Sequence, residues 1–385
     1  MAETKNKKTN VCFYGVNALT KEPIMCNRRD FASPYGIIGG KLGSGKSVMV
    51  KHEILQTLSQ TEDDIIVIDP ESEYARVGWY KNGKFIEENC YYDCLSNKIK
   101  RIDLWYEENY INPMDLVLPS DFYCNDKNTM EASLNIVIEE KADFIICFLG
   151  LLFDKDFDAA QTKLIHDAVV SILKPFGKRL IEQEVDYDFA TNPTFMDLID
   201  LIEPSMLGVI DGHSPYLNHF SRRTSITDER AVVFGLDYVP ERLLSAWYCA
   251  IYEYVWNKSK INSKEKNSYT WLYLEDAYIP FDACRNNKHD YIINTFKQHK
   301  TNKIICTLIV QSISYLLESA GIQSVINNPG FMFYLSQAPK DCEFIKQMYS
   351  LSDELLEYIK DKPTGWGILY NGQSWTPFDF DMRSK

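Results

Sequence analysis

Continuous apolar runs at Tyr35–Gly39, Ile65–Ile68, Ala231–Phe234, Trp271–Leu274 and Ile304–Val310 predict strands of the kind buried on both faces of a parallel sheet. Other apolar residues recur at helical spacing. Val50, Ile54, Leu55 and Leu58 form one stripe, Ile145, Phe148, Leu149 and Leu152 a second, and Leu164, Ala168 and Ile172 a third. Pro240–Trp256 reads as a further helix, and Asp158 with Gln161 and Thr194 with Asp197 read as capping boxes that open two more. Arg101–Leu104 adds a strand. Val11–Tyr14 and Pro23–Cys26 form a short hairpin about a turn at Asn17–Lys21. Near the C-terminus come helices at Lys340–Tyr349 and Ser352–Lys360, then a strand at Gly367–Tyr370. An Asn371-Gly372 turn follows, with a partner strand ending near Pro377-Phe378.

This order predicts an α/β fold whose central sheet is mostly parallel and whose sequence is interrupted by helices. We divide it into a tail and short hairpin (1–32), a first α/β part (33–124), an inserted all-helical subdomain (125–224) and a second α/β part ending in a hairpin (225–385). There is no internal repeat.

Composition adds limits. With 385 residues, 45% hydrophobic and 25% charged, the chain is ordinary globular material with ample core. The longest apolar stretch, Phe144 to Phe153, is about half of what a spanning helix needs. The lysine-bearing start (Lys5, Lys7, Lys8) lacks the apolar segment of a secretory signal, so the expected location is the cytoplasm. Ten cysteines, of which only Cys90 and Cys94 are close in sequence, are expected to be reduced thiols. A net charge of −13 argues against a surface that adheres to nucleic acid throughout, and leaves room only for a local DNA contact. The densest basic run, Lys297 to Lys303, reads as a solvated helix end.

Between the strand Tyr35–Gly39 and the first helical stripe lies Gly40-Lys41-Leu42-Gly43-Ser44-Gly45-Lys46-Ser47, a full match to the phosphate-binding P-loop. Glycines let successive N–H groups turn inward around phosphates, and the following helix directs its positive dipole end at the same charge. The candidate nucleotide contacts are Gly40, Leu42, Gly43, Ser44, Gly45, Lys46, Ser47 and Val48. Lys46 is expected to reach the terminal phosphates of ATP and Ser47 to place its hydroxyl on Mg²⁺.

Hydrolysis also needs a carboxylate in the metal shell, a group that orients water and positive charge on the transition state. The strand Trp271–Leu274 ends in Glu275-Asp276, a Walker B pattern, with Glu275 expected to hold Mg²⁺ through water. Gln311, after the next strand, is a candidate to contact the γ-phosphate or the water; a sheet-edge amide satisfied by backbone is the alternative reading. Asp69-Pro70-Glu71-Ser72-Glu73-Tyr74 brings three more carboxylates to the edge where open α/β sheets bind ligands.

The ordered set resembles the ATPases of conjugative type IV secretion systems, in the HerA–FtsK branch of RecA-like motor proteins, and most of all those of Gram-positive conjugative transposons. The segments that carry the likeness are Gly40–Ser47, Asp63–Ile66 running into Asp69–Tyr74, Ile111–Asp115, Pro193-Thr194, Phe220–Thr224, Leu274–Ala277, Gln311 and Gly365–Phe378. The resemblance implies a RecA-like P-loop NTPase core, a homohexamer, and ATP-driven work beside secretion-channel proteins at the inner face of the cell membrane. Relatives usually carry an additional N-terminal docking domain; this chain begins almost at the motor core, so a truncated form or a smaller relative is expected.

Two departures bear on catalysis. The family's Walker B ends Asp-Glu, whereas here the order is Glu275-Asp276, which moves each carboxyl by a methylene. Misplacement of about 1 Å costs on the order of 10²-fold in rate. Relatives also offer an arginine on the helix after Walker B, yet none occurs between Arg285 and Arg383. Lys297, Lys300, Arg222, Arg223 and Arg230 are the remaining suppliers of that charge. Three readings follow: a weak or competent ATPase motor, a nucleotide-binding structural subunit with little turnover, and a DNA-translocating coupling or packaging ATPase.

Overall fold

Every apolar run expected to be a strand becomes one, and alternate residues of each strand feed two separate cores. The computed structural model describes residues 11–380 except 75–78, 82–83, 87–98, 105–108, 119–121, 123–125, 183–191, 203–218, 226–228, 280–297, 319–321 and 323–328. Cys90, Cys94, Lys297 and the lysine-bearing start lie outside the described residues.

The strands are β1 (Cys12–Asn17), β2 (Pro23–Cys26), β3 (Tyr35–Gly39), β4 (Asp64–Asp69), β5 (Trp79–Lys81), β6 (Lys84–Ile86), β7 (Ile99–Asp103), β8 (Ala231–Gly235), β9 (Thr270–Glu275), β10 (Ile304–Val310), β11 (Phe331–Leu335), β12 (Trp366–Tyr370) and β13 (Trp375–Asp379). The helices are α1 (Lys46–Gln60), α2 (Lys127–Phe153), α3 (Ala159–Ile181), α4 (Phe195–Ile199), α5 (Glu241–Ile261), α6 (Ile313–Glu318), α7 (Pro339–Tyr349) and α8 (Asp353–Leu356).

Eleven strands form one sheet in the order β2-β1-β13-β12-β11-β3-β10-β9-β4-β8-β7. From β11 to β7 every pairing is parallel. The other end is antiparallel, because the two hairpins expected at opposite ends of the sequence pair with each other through β1 and β13. Ile66, Ile68, Leu272, Leu274 and Leu308 face α5 and share its core, which continues through α2 to α3. Ile65, Val67, Trp271, Tyr273 and Ile309 face α1 with Met49, Val50, Ile54, Leu55 and Leu58. A run apolar on every residue therefore signals helices on both faces, not the lack of a face.

Both capping boxes form, at Asp158 with Gln161 and at Thr194 with Asp197. Three expectations need correction. On α3 the buried stripe is Ile165, Val169, Leu173 and Phe176, while Leu164 is 61% exposed. Two apolar stripes lie side by side on this helix, and spacing alone does not rank them. The helix expected over Ser352–Lys360 stops at Leu356, and Lys360 instead bridges to Gln337. In the basic run, Lys300 is exposed as expected, but the segment is one of turns rather than a helix end, and His299 is fully buried and bonded to the Tyr252 hydroxyl, which anchors it in the core. The strand β11 was not anticipated. The described cysteines Cys12, Cys26, Cys147, Cys249, Cys306 and Cys342 are buried thiols. Among the described residues no helix is long and apolar enough to cross a membrane.

Candidate functional site

The P-loop leaves the carboxyl end of β3 and enters α1 through Gly45, whose φ of 108° caps the helix in a conformation side chains rarely adopt. Gly43 is also left-handed, with φ 75°. At Gly40 a Cβ would lie 2.4 Å from Ser44 Oγ, so the loop folds tightly enough to exclude any side chain there. Ser44 is buried and its hydroxyl has no hydrogen-bond partner, an orphaned polar atom facing the loop that an anion's oxygen would satisfy. Lys46 is buried and donates to the Gly40 carbonyl at 2.9 Å, which holds its amine over the loop rather than out in solvent. Ser47 and Val48 occupy the first turn of α1, half-buried, and Leu42 is 76% exposed at the loop's tip.

The loop is tied down on two sides. Gly40 N donates to Val310 O (3.2 Å) and Lys41 N to Ser336 O (2.8 Å), which fixes it to the ends of β10 and β11. Thr364 Oγ1 donates to Gly43 O (2.9 Å) and Gly365 N to Ser44 O (3.1 Å), so the turn before β12 supports the loop from the opposite side.

Strand order brings the remaining candidates together. β10 separates β3 from β9, with Val310 beside Gly39 and Ile309 beside Glu275. Gln311, exposed at the end of β10, therefore lies between the P-loop and the acid pair. Glu275 is 2% exposed; the Tyr74 hydroxyl donates to its Oε2 at 2.8 Å and the Tyr248 hydroxyl to its backbone carbonyl at 2.6 Å. Burial pushes the Glu275 carboxyl well above its ordinary value, while the Tyr74 hydrogen bond and the Lys46 amine pull it back. Burial likewise raises Asp276 to about 6, with Glu71 adding to the rise and Lys46 opposing it. The charge of Lys46 thus acts on both acids. Asp276 has φ 46°, a left-handed turn that carries its carboxyl out of the strand direction.

The motif after β4 divides its work. Asp69 is fully buried and accepts from Glu73 N (2.9 Å), Tyr74 N (3.0 Å) and Arg101 Nη1 (3.0 Å), so it shapes the turn. That turn delivers Tyr74 to Glu275 and sets Glu71 and Glu73 near enough to act on Asp276. Lys51 on α1 stands over the Tyr74 ring at 5.7 Å. Tyr74, Tyr248 and Lys51 were not singled out from the sequence. Tyr74 closes a motif whose sequence signal lies in its acids, while Tyr248 and Lys51 sit in a helical pattern that signals only packing.

The suppliers of positive charge are scattered. Arg230 donates to the carbonyls of Thr61 (2.8 Å) and Asp63 (2.9 Å), at the amino end of β4 and so at the edge away from the P-loop. Arg222 lies over Tyr110 at 4.8 Å, Arg223 is exposed, and Lys300 donates to Ala32 O at 3.1 Å.

No protein-family model and no curated protein matches this chain in sequence. Solved structures do match in fold. VirB4 of Thermoanaerobacter pseudethanolicus is 19% identical with a TM-score of 0.70, over 97% of this chain and 96% of that one. The unbound bacterial conjugative coupling protein TrwB is 11% identical with a TM-score of 0.53, over 96% and 89%. The plasmid coupling protein TrwB in complex with the non-hydrolysable ATP analogue ADPNP is 13% identical with a TM-score of 0.50, over 96% and 90%. At these identities the likeness is one of fold: the chain has the mixed α/β fold of these proteins, as the ordered motifs implied.

Proposed function

We propose that this chain is an ATP-binding and ATP-hydrolysing motor subunit that energises a type IV secretion or conjugal DNA transfer apparatus. One observation carries the reading: the P-loop and the Glu275-Asp276 pair end strands on either side of β10, with the Lys46 charge acting on both acids. A fold shared over almost the whole chain with VirB4 and TrwB supports the motor role, and the TrwB complex with an ATP analogue supports the nucleotide.

In this reading the loop amides and Lys46 bind the phosphates, and the Ser44 hydroxyl gains the partner it lacks. Ser47 and Glu275, the latter through water, would hold Mg²⁺, which would supply charge neutralisation at the phosphate oxygens. Asp276 orients the attacking water and takes its proton as the γ-phosphorus bond to the bridging oxygen breaks. Gln311 reads the γ-phosphate from β10. The chain works as a homohexamer at the inner face of the cell membrane beside channel proteins, with residues 125–224 as its helical insertion. Steady-state phosphate release by the wild type and by Lys46→Ala tests the enzyme; equal, background-level rates would remove it.

A second reading, a nucleotide-binding structural subunit with little turnover, is favoured by the burial of Glu275. Glu275→Asp combined with Asp276→Glu separates the two. A large gain in turnover would mean that the native pair is compromised.

A further inference from the structure

The turn that follows Gln311 is tied to every other part of the nucleotide site. Ile313, fully buried, packs on the strand that leads into the P-loop: a Cβ on Gly39 would lie 2.5 Å from Ile313 Cδ1, so no side chain fits between them. Tyr315 meets the ring of Tyr278 edge-on at 5.2 Å, just beyond Asp276. Asp341, on the first turn of α7, makes the remaining tie. Its Oδ1 accepts from Ser314 N at 2.8 Å and from Ser312 Oγ at 2.9 Å, and it is 3% exposed.

The opening N–H groups of a helix have no partner within it, and a residue just before the helix usually supplies the acceptor. For α6 the local cap is weak, since Ser312 Oγ receives Tyr315 N only at 3.4 Å. The carboxylate of Asp341 takes Ser314 N instead, from a different element. A local cap would fix α6 to its own loop, whereas Asp341 fixes it to the segment after β11. That segment begins at Ser336, whose carbonyl holds Lys41 N of the P-loop at 2.8 Å. Gln311 and the P-loop are therefore aligned on one β11–α7 unit. Gln311 itself is exposed, with β10 fixing the backbone before it and Asp341 the backbone after it.

We propose that Asp341 is a positioning residue for turnover, holding the Ser312–Ser314 turn so that Gln311 meets the γ-phosphate or the attacking water. The proposal rests on the ATPase reading given above and adds that α7, not the strands alone, sets the geometry of that contact. Without Asp341 a buried N–H is left without an acceptor, and the turn relieves it by shifting. A shift of about 1 Å is enough to cost on the order of 10²-fold in rate.

Steady-state kinetics and Mg-ADP titration of Gln311→Ala, Asp341→Ala, Asp341→Asn, Ser312→Ala and the Gln311→Ala/Asp341→Ala double variant test it. Asp341→Ala should lower kcat about as much as Gln311→Ala, by roughly tenfold or more. Asp341→Asn, which keeps an acceptor for Ser314 N, should recover most of the loss. Ser312→Ala, which removes one donor and leaves the carboxylate in place, should show a smaller loss of the same kind. The double variant should be no slower than Gln311→Ala, because residues that act as a unit are not additive. Mg-ADP, which lacks the γ-phosphate, should bind every variant as it binds the wild type. Losses that multiply in the double variant, unaltered turnover in Gln311→Ala or Asp341→Ala, or weakened Mg-ADP binding in Asp341→Ala would overturn the proposal. Background turnover in the wild type, equal to that of Lys46→Ala, would remove the ATPase reading itself and the proposal with it.

Discussion

The hydroxyl of Tyr74 donates to Glu275 Oε2 at 2.8 Å, joining the turn after β4 to the end of β9 across the strand pair that carries the acids. Burial pushes the Tyr74 phenol well above its ordinary value, so it remains a donor throughout the neutral range. With Tyr248 fixing the carbonyl of the same residue, Glu275 is oriented from both its side chain and its backbone.

Tyr74→Phe removes only the side-chain bond. A hydrogen bond of this kind contributes about 0.5–1.5 kcal/mol, the upper end equivalent to roughly tenfold in rate. We expect kcat for ATP to fall about tenfold with KM unchanged and the fold retained. Steady-state kinetics of the variant check it, and an unaltered kcat would show that Tyr74 does not position Glu275.

Beneath α1, Arg28 Nη1 bonds both carboxyl oxygens of Glu53 at 3.1 Å, and both side chains are almost fully buried. The Tyr273 hydroxyl donates to Glu53 Oε2 at 2.8 Å, and Arg28 donates to Thr307 Oγ1 at 2.8 Å. Breaking a buried pair strands one charge and costs about 3–5 kcal/mol. Glu53→Gln and Arg28→Met should each lower stability by that order, and the double variant by clearly less than the sum. Urea unfolding of the three variants reads the coupling, and simple additivity would contradict it.

His299 gives a prediction in pH. Burial lowers its imidazole to about 3, against about 6.5 when unfolded, so the folded chain resists a proton that the unfolded chain takes up. Stability is therefore full above pH 6.5 and declines as the pH falls from there toward 3. At pH 5 this single group costs about 2 kcal/mol. His299→Gln, which keeps an acceptor for Tyr252, should lose less stability than the wild type between pH 7.5 and 5, as read from urea midpoints. Parallel losses would contradict the assignment.

These residues also mark what was legible beforehand. The P-loop, the acid pair and Gln311 sit at the ends of apolar runs, so their approximate placement follows once each run is a strand in a parallel sheet. The order β3-β10-β9 does not follow, since pairing between strands distant in sequence leaves no local trace. β11, Phe331–Leu335, went unread although it is as apolar as its neighbours, and with it went one anchor of the P-loop, the Ser336 carbonyl. Tyr74 and Tyr248 escaped for another reason. A tyrosine that packs its ring and spends its hydroxyl on Glu275 has the same sequence pattern as one that only packs. His299 was misassigned because a lysine-rich neighbourhood dominates a charge count while the imidazole alone turns inward.

The nucleotide site at the tip of the sheet is tested most directly by melting temperature in a Mg-ATP titration of the wild type and of Lys46→Ala. Ligand at about 100 times its Kd adds roughly 2.7 kcal/mol to stability. The account predicts a saturable upward shift of a few degrees in the wild type and none in Lys46→Ala. An unmoved wild-type melting point, or the same rise in both proteins, would contradict it.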